Sequence, residues 1–164
     1  MPDADPLSAT LQRRIKKARR LAIVGIGDEL LPPDRPGMYA AKDIERQQLP
    51  GVHVFFAGSV PESVTGPLRR YRPGHVLFLD AADMGVRPGT IAVIEPEQIQ
   101  ASLISTHVLP LSVVMDYVEQ EIDAGVTLLG IQPDLSGSDK DLSAEDLAYL
   151  GHNLRLLAHI LRNR

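Results

Sequence analysis

Residues 76–85 read Val-Leu-Phe-Leu-Asp-Ala-Ala-Asp-Met-Gly, and this stretch decides the fold class. Its first four residues are apolar, a run too short for a helix and too uniformly apolar for a strand with one face in water. Such a run is typical of a strand buried on both faces of a parallel sheet. The run ends on Asp80, and Asp83 and Gly85 follow. Because ligands gather beyond the carboxyl ends of strands in open α/β sheets, Asp80 is a candidate site residue, although aspartate is also common there as a cap of the next turn.

Apolar runs of strand length alternate with helical patterns along the rest of the chain. The predicted strands are residues 21–24, 52–56, 76–79, 90–94 and 126–131. The predicted helices run from Ser8 to about Arg20, Met38 to Gln48, Pro61 to about Tyr71, Glu97 to Leu103, Pro110 to Ile122, and onward from Ser143. This order predicts an α/β fold, a three-layer α-β-α sandwich with a mostly parallel, roughly five-stranded twisted sheet. The strand at 90–94 follows Asp80 too closely for a crossover helix, so we expect it to be antiparallel or at an edge.

Length and composition restrict the class of protein. The chain has 164 residues, which fits a single domain over residues 1–164, with residues 1–20 as an N-terminal extension that carries a basic helix. We expect the Lys and Arg pairs of that helix to face solvent. The net charge of −4 gives no basic surplus for nucleic acid, and no apolar run approaches the ~20 residues that span a bilayer. We therefore expect a cytoplasmic protein that binds neither nucleic acid nor membrane, and we also expect a monomer. The absence of cysteine excludes thiolate metal sites.

The first predicted strand is followed by Gly25-Ile26-Gly27, which invites comparison with nucleotide-binding loops. The third glycine of a dinucleotide fingerprint would fall at position 30, where the chain has Leu30. No Lys-Ser or Lys-Thr pair completes a phosphate-binding loop either. A small-molecule enzyme on a nucleotide-binding fold is therefore disfavoured.

Three side chains suited to metal binding fall at or just beyond strand or helix ends on one side of the predicted sheet: Asp34, Asp80 and His107. Two carboxylates and an imidazole form a credible site for a divalent metal of intermediate softness, such as nickel or zinc.

Several motifs make the chain similar to a known family. They are Gly25-Ile26-Gly27-x-Glu29-Leu30 with Asp34 and Gly37, Gly58-Ser59-x-Pro61-Glu62, Asp80-Ala81-x-Asp83-Met84-Gly85-x-x-Pro88-Gly89, Ser105-Thr106-His107-x-x-Pro110-Leu111 and Leu129-Gly130-Ile131-Gln132-Pro133-Asp134. In this order and spacing the chain resembles the hydrogenase maturation endopeptidases, in particular the branch that serves the hydrogenase of formate hydrogenlyase. The resemblance covers about residues 21–134, and several motifs in register are far more specific than any one of them.

The resemblance implies an endopeptidase that removes a C-terminal peptide from the nickel-loaded precursor of a nickel-iron hydrogenase large subunit. The family's metal-contacting residues fall on Asp34, Asp80 and His107, which would read the bound nickel and serve catalysis. The nickel would arrive inside the precursor, which is the implied partner. Hydrolysis could use the metal to polarise the carbonyl or activate water, or a carboxylate as general base; no Ser-His-Asp arrangement is legible.

The chain departs from the family pattern around Asp34. The family's first motif usually reads Gly-Asn-x-Leu-x-Gly-Asp-Asp-x-x-Gly, whereas here the Asn position is Asp28 and the Gly-Asp pair is Pro32-Pro33, with Arg35-Pro36 in place of small residues. This stiffer and bulkier loop leaves an alternative open. The chain could be a non-catalytic homologue that binds a metal or a hydrogenase precursor without cleaving it.

Overall fold

The computed structural model describes residues 5–101, 108–137 and 139–164. Its strands form one five-stranded sheet in the order β2-β1-β3-β5-β4, in which every neighbouring pair is parallel except β4 and β5. The strands are β1 (Leu21–Ile26), β2 (Val52–Gly58), β3 (His75–Ala81), β4 (Ile91–Ile94) and β5 (Gly125–Ile131). The predicted sandwich is confirmed, and so is the antiparallel edge strand that follows β3 too closely for a crossover.

Helices cover both faces of the sheet. They are α1 (Pro6–Ile15), α2 (Pro36–Arg46), α3 (Thr65–Tyr71), α4 (Pro96–Ala101), α5 (Val108–Tyr117) and α6 (Ala144–Arg162). Short 3₁₀ turns precede α2 and α3, and a π-helical turn extends α5; these are Pro32–Asp34, Pro61–Val64 and Val118–Ile122. In the part of the chain that the structure describes, no helix is both long enough and apolar enough to cross a bilayer.

Strand β3 lies at the centre of the sheet and all seven of its residues are buried. Alternate side chains point to opposite faces. Leu77 and Leu79 pack into a core shared with α1, α2 and α6, and Val76 and Phe78 pack into a second core shared with α3 and α5. Each fully buried Leu or Phe contributes roughly 1.5–3 kcal/mol. The uniformly apolar run in the sequence therefore corresponds to a strand with a core on each side, as predicted.

The N-terminal helix differs from its prediction at both ends. Asp5 caps it instead of Ser8, with Pro6 in the first turn, and the helix stops at Ile15 instead of about Arg20. Its buried face consists of Leu7, Leu11 and Ile15, which belong to the same core as α6. Ending at Ile15 leaves five residues for the chain to turn into β1, which begins at Leu21.

The predicted solvation of the basic face of α1 is wrong for Arg14. Its side chain is only 26% exposed and forms an ion pair with Glu95, just after β4. Its guanidinium also donates to Thr127 Oγ1 of β5 at 3.3 Å. These contacts tie α1 to the amino end of the parallel strands, away from the carboxyl ends of β1 and β3.

His75, at the start of β3, completes this polar cluster. Its Nε2 lies 2.9 Å from Thr127 Oγ1. Because Arg14 already donates to that oxygen, the hydroxyl proton is available for a neutral His75 ring. Burial first, and the Arg14 charge second, lower the pKa of His75 from 6.5 to about 4.

This buried neutral histidine predicts an acid-sensitive fold. Between pH 6.5 and about 4, His75 gains a proton in the unfolded chain but not in the folded one, so the free energy of unfolding falls as the pH drops through this window. The loss should approach roughly 3 kcal/mol below the window. Urea unfolding at pH 7 and pH 4.5 measures it. His75→Gln cannot titrate and should show a smaller decrease; equal decreases in the two proteins would contradict the assignment.

Candidate active site

Asp80 lies near the carboxyl end of the central strand. It is the penultimate residue of β3, is 1% exposed, and pairs in register with Gly130 of β5. It alternates with Leu79 and so faces the same side of the sheet as Phe78. Strand β3 thus extends beyond the apolar run seen in the sequence and includes Asp80. The backbone of Asp80 is therefore part of the rigid sheet.

The turn after β3 is shaped by the second carboxylate of this segment. Asp83 Oδ1 accepts a hydrogen bond from Gly85 N at 3.2 Å, closing a local turn. Asp83 is exposed, in contrast to Asp80. The two acids of the motif therefore stand in different environments, one buried in the strand and one in the loop.

Asp34 is the last residue of the 3₁₀ turn between β1 and α2. Its Oδ2 accepts a hydrogen bond from Asp28 N at 2.7 Å, and Asp28 Oδ1 in turn accepts one from Leu30 N at 2.9 Å. Gly27 makes this arrangement possible. Its φ is +133°, and a Cβ there would lie 1.9 Å from the carbonyl oxygen of Asp34. The Asp34 loop is thus pressed directly on the end of β1.

The first turn of α2 crosses the ends of two strands. A Cβ on Gly37 would lie 2.3 Å from the carbonyl oxygen of Ile26 in β1 and 2.4 Å from that of Leu79 in β3. Since Leu79 precedes Asp80, the loop that carries Asp34 and the strand that carries Asp80 meet at one edge of the sheet. The structure therefore brings these two predicted site residues to adjacent strand ends.

Arg35 anchors the Asp34 loop from the other side. Its Nε donates to the carbonyl oxygen of Glu29 at 2.7 Å, and its Nη1 forms a 2.7 Å ion pair with Asp141, just before α6. Pro36 begins α2 and is buried. The stiff loop expected from its prolines is therefore also tied down by an arginine, and no local sequence pattern could show a partner 106 residues away.

Sequence reasoning assigned no role to Gln132, which follows β5. Its side chain is 4% exposed; Oε1 accepts from Met84 N at 2.6 Å, and Nε2 donates to Asp83 Oδ1 at 3.3 Å. Its own carbonyl accepts from Gly89 N at 2.9 Å. Gln132 thus holds both ends of the loop that leaves Asp80. The available signal was a polar residue directly after an apolar strand, as at Asp80.

His107 lies outside the described residues, so the predicted set of three ligands remains a prediction. Within residues 5–101, 108–137 and 139–164, no group of three His, Asp or Glu side chains is gathered closely enough to hold a metal ion. Helix α5 begins at Val108, directly after His107 in the chain. Asp34 and Asp80 are the two predicted ligands that lie within the described residues.

Comparisons with known proteins agree on one family. A family model described as hydrogenase maturation protease matches residues 38–145. The chain is 34% identical over 128 residues to a protein of Methanocaldococcus jannaschii named as a hydrogenase maturation protease, covering 73% of this chain and 76% of that protein. It is 34% identical over 113 residues to the hydrogenase 3 maturation protease of Escherichia coli K12, covering 68% and 72%.

The fold is shared with solved structures. The crystal structure of a NiFe hydrogenase maturation protease from Thermococcus kodakarensis matches with a TM-score of 0.79 and 28% identity, over 94% of this chain and 99% of that chain. At 94% coverage, the likeness extends over most of this α/β fold.

The packing at Gly27 predicts the effect of adding one methyl group. Gly27→Ala should lower the free energy of unfolding by about 1–3 kcal/mol or more, because the Cβ meets the Asp34 carbonyl and the backbone is strained for alanine. Gly58→Ala is the matched control, since Gly58 also has positive φ but nothing lies within 4 Å of its Cβ position. Urea denaturation compares the two, and equal losses would show that the Asp34 loop does not press on β1.

Proposed function

Because this chain belongs to the hydrogenase maturation protease family, a family of peptidases, we propose that it removes a C-terminal peptide from the nickel-loaded precursor of a nickel-iron hydrogenase large subunit. The relatives' names support the direction of this proposal. One is a hydrogenase 3 maturation protease and another is a NiFe hydrogenase maturation protease. The substrate would be the precursor protein, and the nickel would arrive bound to that precursor.

The observation that carries the proposal is the placement of Asp34 and Asp80 at adjacent strand ends. Gly37 lets the first turn of α2 lie on the carbonyl groups of both strands, so the two carboxylates share one edge. Their oxygens, together with the imidazole of His107, form a donor set suited to a metal of intermediate softness such as nickel. In this proposal the three side chains contact the nickel of the precursor, so that cleavage follows loading.

Rigid mounting suits this role. Asp80 is fixed by its pairing with Gly130 of β5, and Asp34 is fixed by the Asp28 N hydrogen bond and by the Arg35 contacts of its loop. A peptidase gains rate when the reacting groups are held in place before the substrate arrives. Nickel in the precursor would supply a Lewis acid at the point where these carboxylates meet the polypeptide.

The alternative is a homologue that binds the precursor without cutting it. The altered loop around Asp34 favours this reading, because Pro32, Arg35 and Pro36 make it bulkier and the Arg35–Asp141 pair fastens it to the α6 side. The peptidase reading is preferred because the alteration leaves Asp34 and Asp80 in place at the strand ends.

Substituting the carboxylates tests the proposed site. Asp34→Asn and Asp80→Asn keep side-chain shape but remove charge, so processing of nickel-loaded precursor should fall by at least about 100-fold. Asp83→Asn is the matched control, since Asp83 is exposed and lies three residues from Asp80; it should process normally. Thermal melts are needed beside the assay because Asp80 is buried, so Asp80→Asn can also change stability. Normal processing by Asp34→Asn with retained folding would remove Asp34 from the site.

Mass spectrometry of the precursor distinguishes the peptidase from the binding-only alternative. After incubation with the wild-type protein, nickel-loaded precursor should be shorter by one C-terminal peptide, and nickel-free precursor should keep its length. Unchanged length of the loaded precursor, in a sample where a complex forms, would establish the binding-only reading.

A further inference from the structure

A groove of about 260 Å³ lies between the first turns of α2 and α6. Its walls are mostly apolar: Tyr39 comes from α2, Leu142 from the segment before α6, and Leu147 and Leu150 from α6 itself. Leu150 is fully buried at the base, whereas Leu147 is 40% exposed. The groove thus offers apolar surface that the folded chain itself leaves uncovered.

The size of the groove fits a large apolar side chain. An apolar cavity of about 150 Å³ is known to hold benzene. A volume of 260 Å³ therefore accommodates an aromatic or a long branched aliphatic group. Binding pockets for specificity are commonly apolar with a few polar groups that fix orientation, and here Arg35 and Asp141 are the polar groups of the lining.

The groove borders the loop that carries Asp34. Two of its lining residues, Pro32 and Pro36, stand two positions before and after Asp34. The ion pair between Arg35 and Asp141 joins the two walls, since Arg35 belongs to the Asp34 loop and Asp141 to the segment before α6. A polypeptide that passes Asp34 in extended form therefore reaches the groove within a few residues.

Exposed apolar side chains surround the same edge of the sheet. Among the described residues, the large apolar side chains that are exposed at this edge are Leu30, Leu31, Val60, Val86, Leu135 and Leu147. They come from the segments that follow β1, β2, β3 and β5, as well as from α6. Clustered exposed apolar groups mark interaction surfaces. The edge that carries Asp34 and Asp80 is therefore suited to a protein partner with apolar residues.

We infer that the groove is a specificity subsite that takes a large apolar side chain of the hydrogenase large-subunit precursor, from the segment next to the scissile bond. This inference rests on the proposed function, and it adds the chemistry that the substrate must present. Pro32, Arg35 and Pro36 are also among the positions at which this chain differs from the usual family motif, so the subsite is a property of this chain. Tyr39 and Leu147 are its specificity-determining residues, and Arg35 positions its two walls.

Leu147→Asp is the variant that tests the groove. It places a charge at the apolar mouth, and an acid in the first turns of a helix is compatible with folding. The dissociation constant of purified nickel-loaded precursor should rise at least about tenfold, and KM for processing should rise similarly while kcat stays unchanged. Val113→Asp is the control: Val113 is a 68% exposed apolar residue of α5, outside the groove, and its substitution should change neither constant. Thermal melts confirm that both variants fold.

A substrate change identifies the occupant. Precursor in which the apolar residues flanking the scissile bond are replaced by alanine should bind the wild-type protein at least about tenfold more weakly. The same precursor should show no further loss with Leu147→Asp, because the two changes remove one contact.

The outcomes separate the groove from the proposed function. An unchanged dissociation constant for Leu147→Asp, with processing intact, overturns the groove and leaves the peptidase. Weaker binding by Leu147→Asp without any processing by the wild type supports the groove and overturns the peptidase. A wild-type protein that neither binds nor shortens the precursor overturns both.

Discussion

The contact on which the structure depends is the close approach of α2 to the ends of β1 and β3. Gly37 lies against the carbonyl oxygens of Ile26 and Leu79, at distances where a Cβ would clash. One layer down, Gly25 makes the same kind of contact with Ala41. Because two glycines remove the side chains at this crossing, the helix starts directly on the strand ends. The loop between β1 and α2 is therefore held against the sheet, and Asp34 lies at the same edge of the sheet as Asp80.

Much of the fold was predictable because its determinants are local. The run 76–79 is apolar on both faces, and burial in two separate cores is the physical reason. The short spacing from β3 to β4 excluded a crossover, and the antiparallel pairing follows from that geometry. What local pattern could not show is pairing across the chain. Arg14 meets Glu95 across 81 residues, and Arg35 meets Asp141 across 106; neither partner has a spacing that marks it.

The candidate site was predictable in part for the same reason. Asp80 can be identified in the sequence because it follows an apolar run of strand length. Asp34 is distinguished from other loop acids by its position within the family motifs. The role of Gln132 depends on the carbonyls and amides of a distant loop, which sequence does not reveal. The burial of Asp80 was also hidden, because the strand continues to Ala81 and encloses a residue that the apolar run alone places in a turn. Polar residues at strand ends can thus be recognised in the sequence, but their hydrogen-bond partners and burial depend on the tertiary structure.

The packing of α1 on α6 has a consequence for the nascent chain. Leu7, Leu11 and Ile15 belong to a core that includes Leu154 and Leu157, so α1 finds this part of its binding surface only after α6 has been synthesised. At synthesis rates of about 5–20 residues per second, an apolar helix face waits on the order of ten seconds. During that interval Leu7, Leu11 and Ile15 lack the α6 side chains of their core. Helix α1 is therefore among the last of the described elements to reach its final packing.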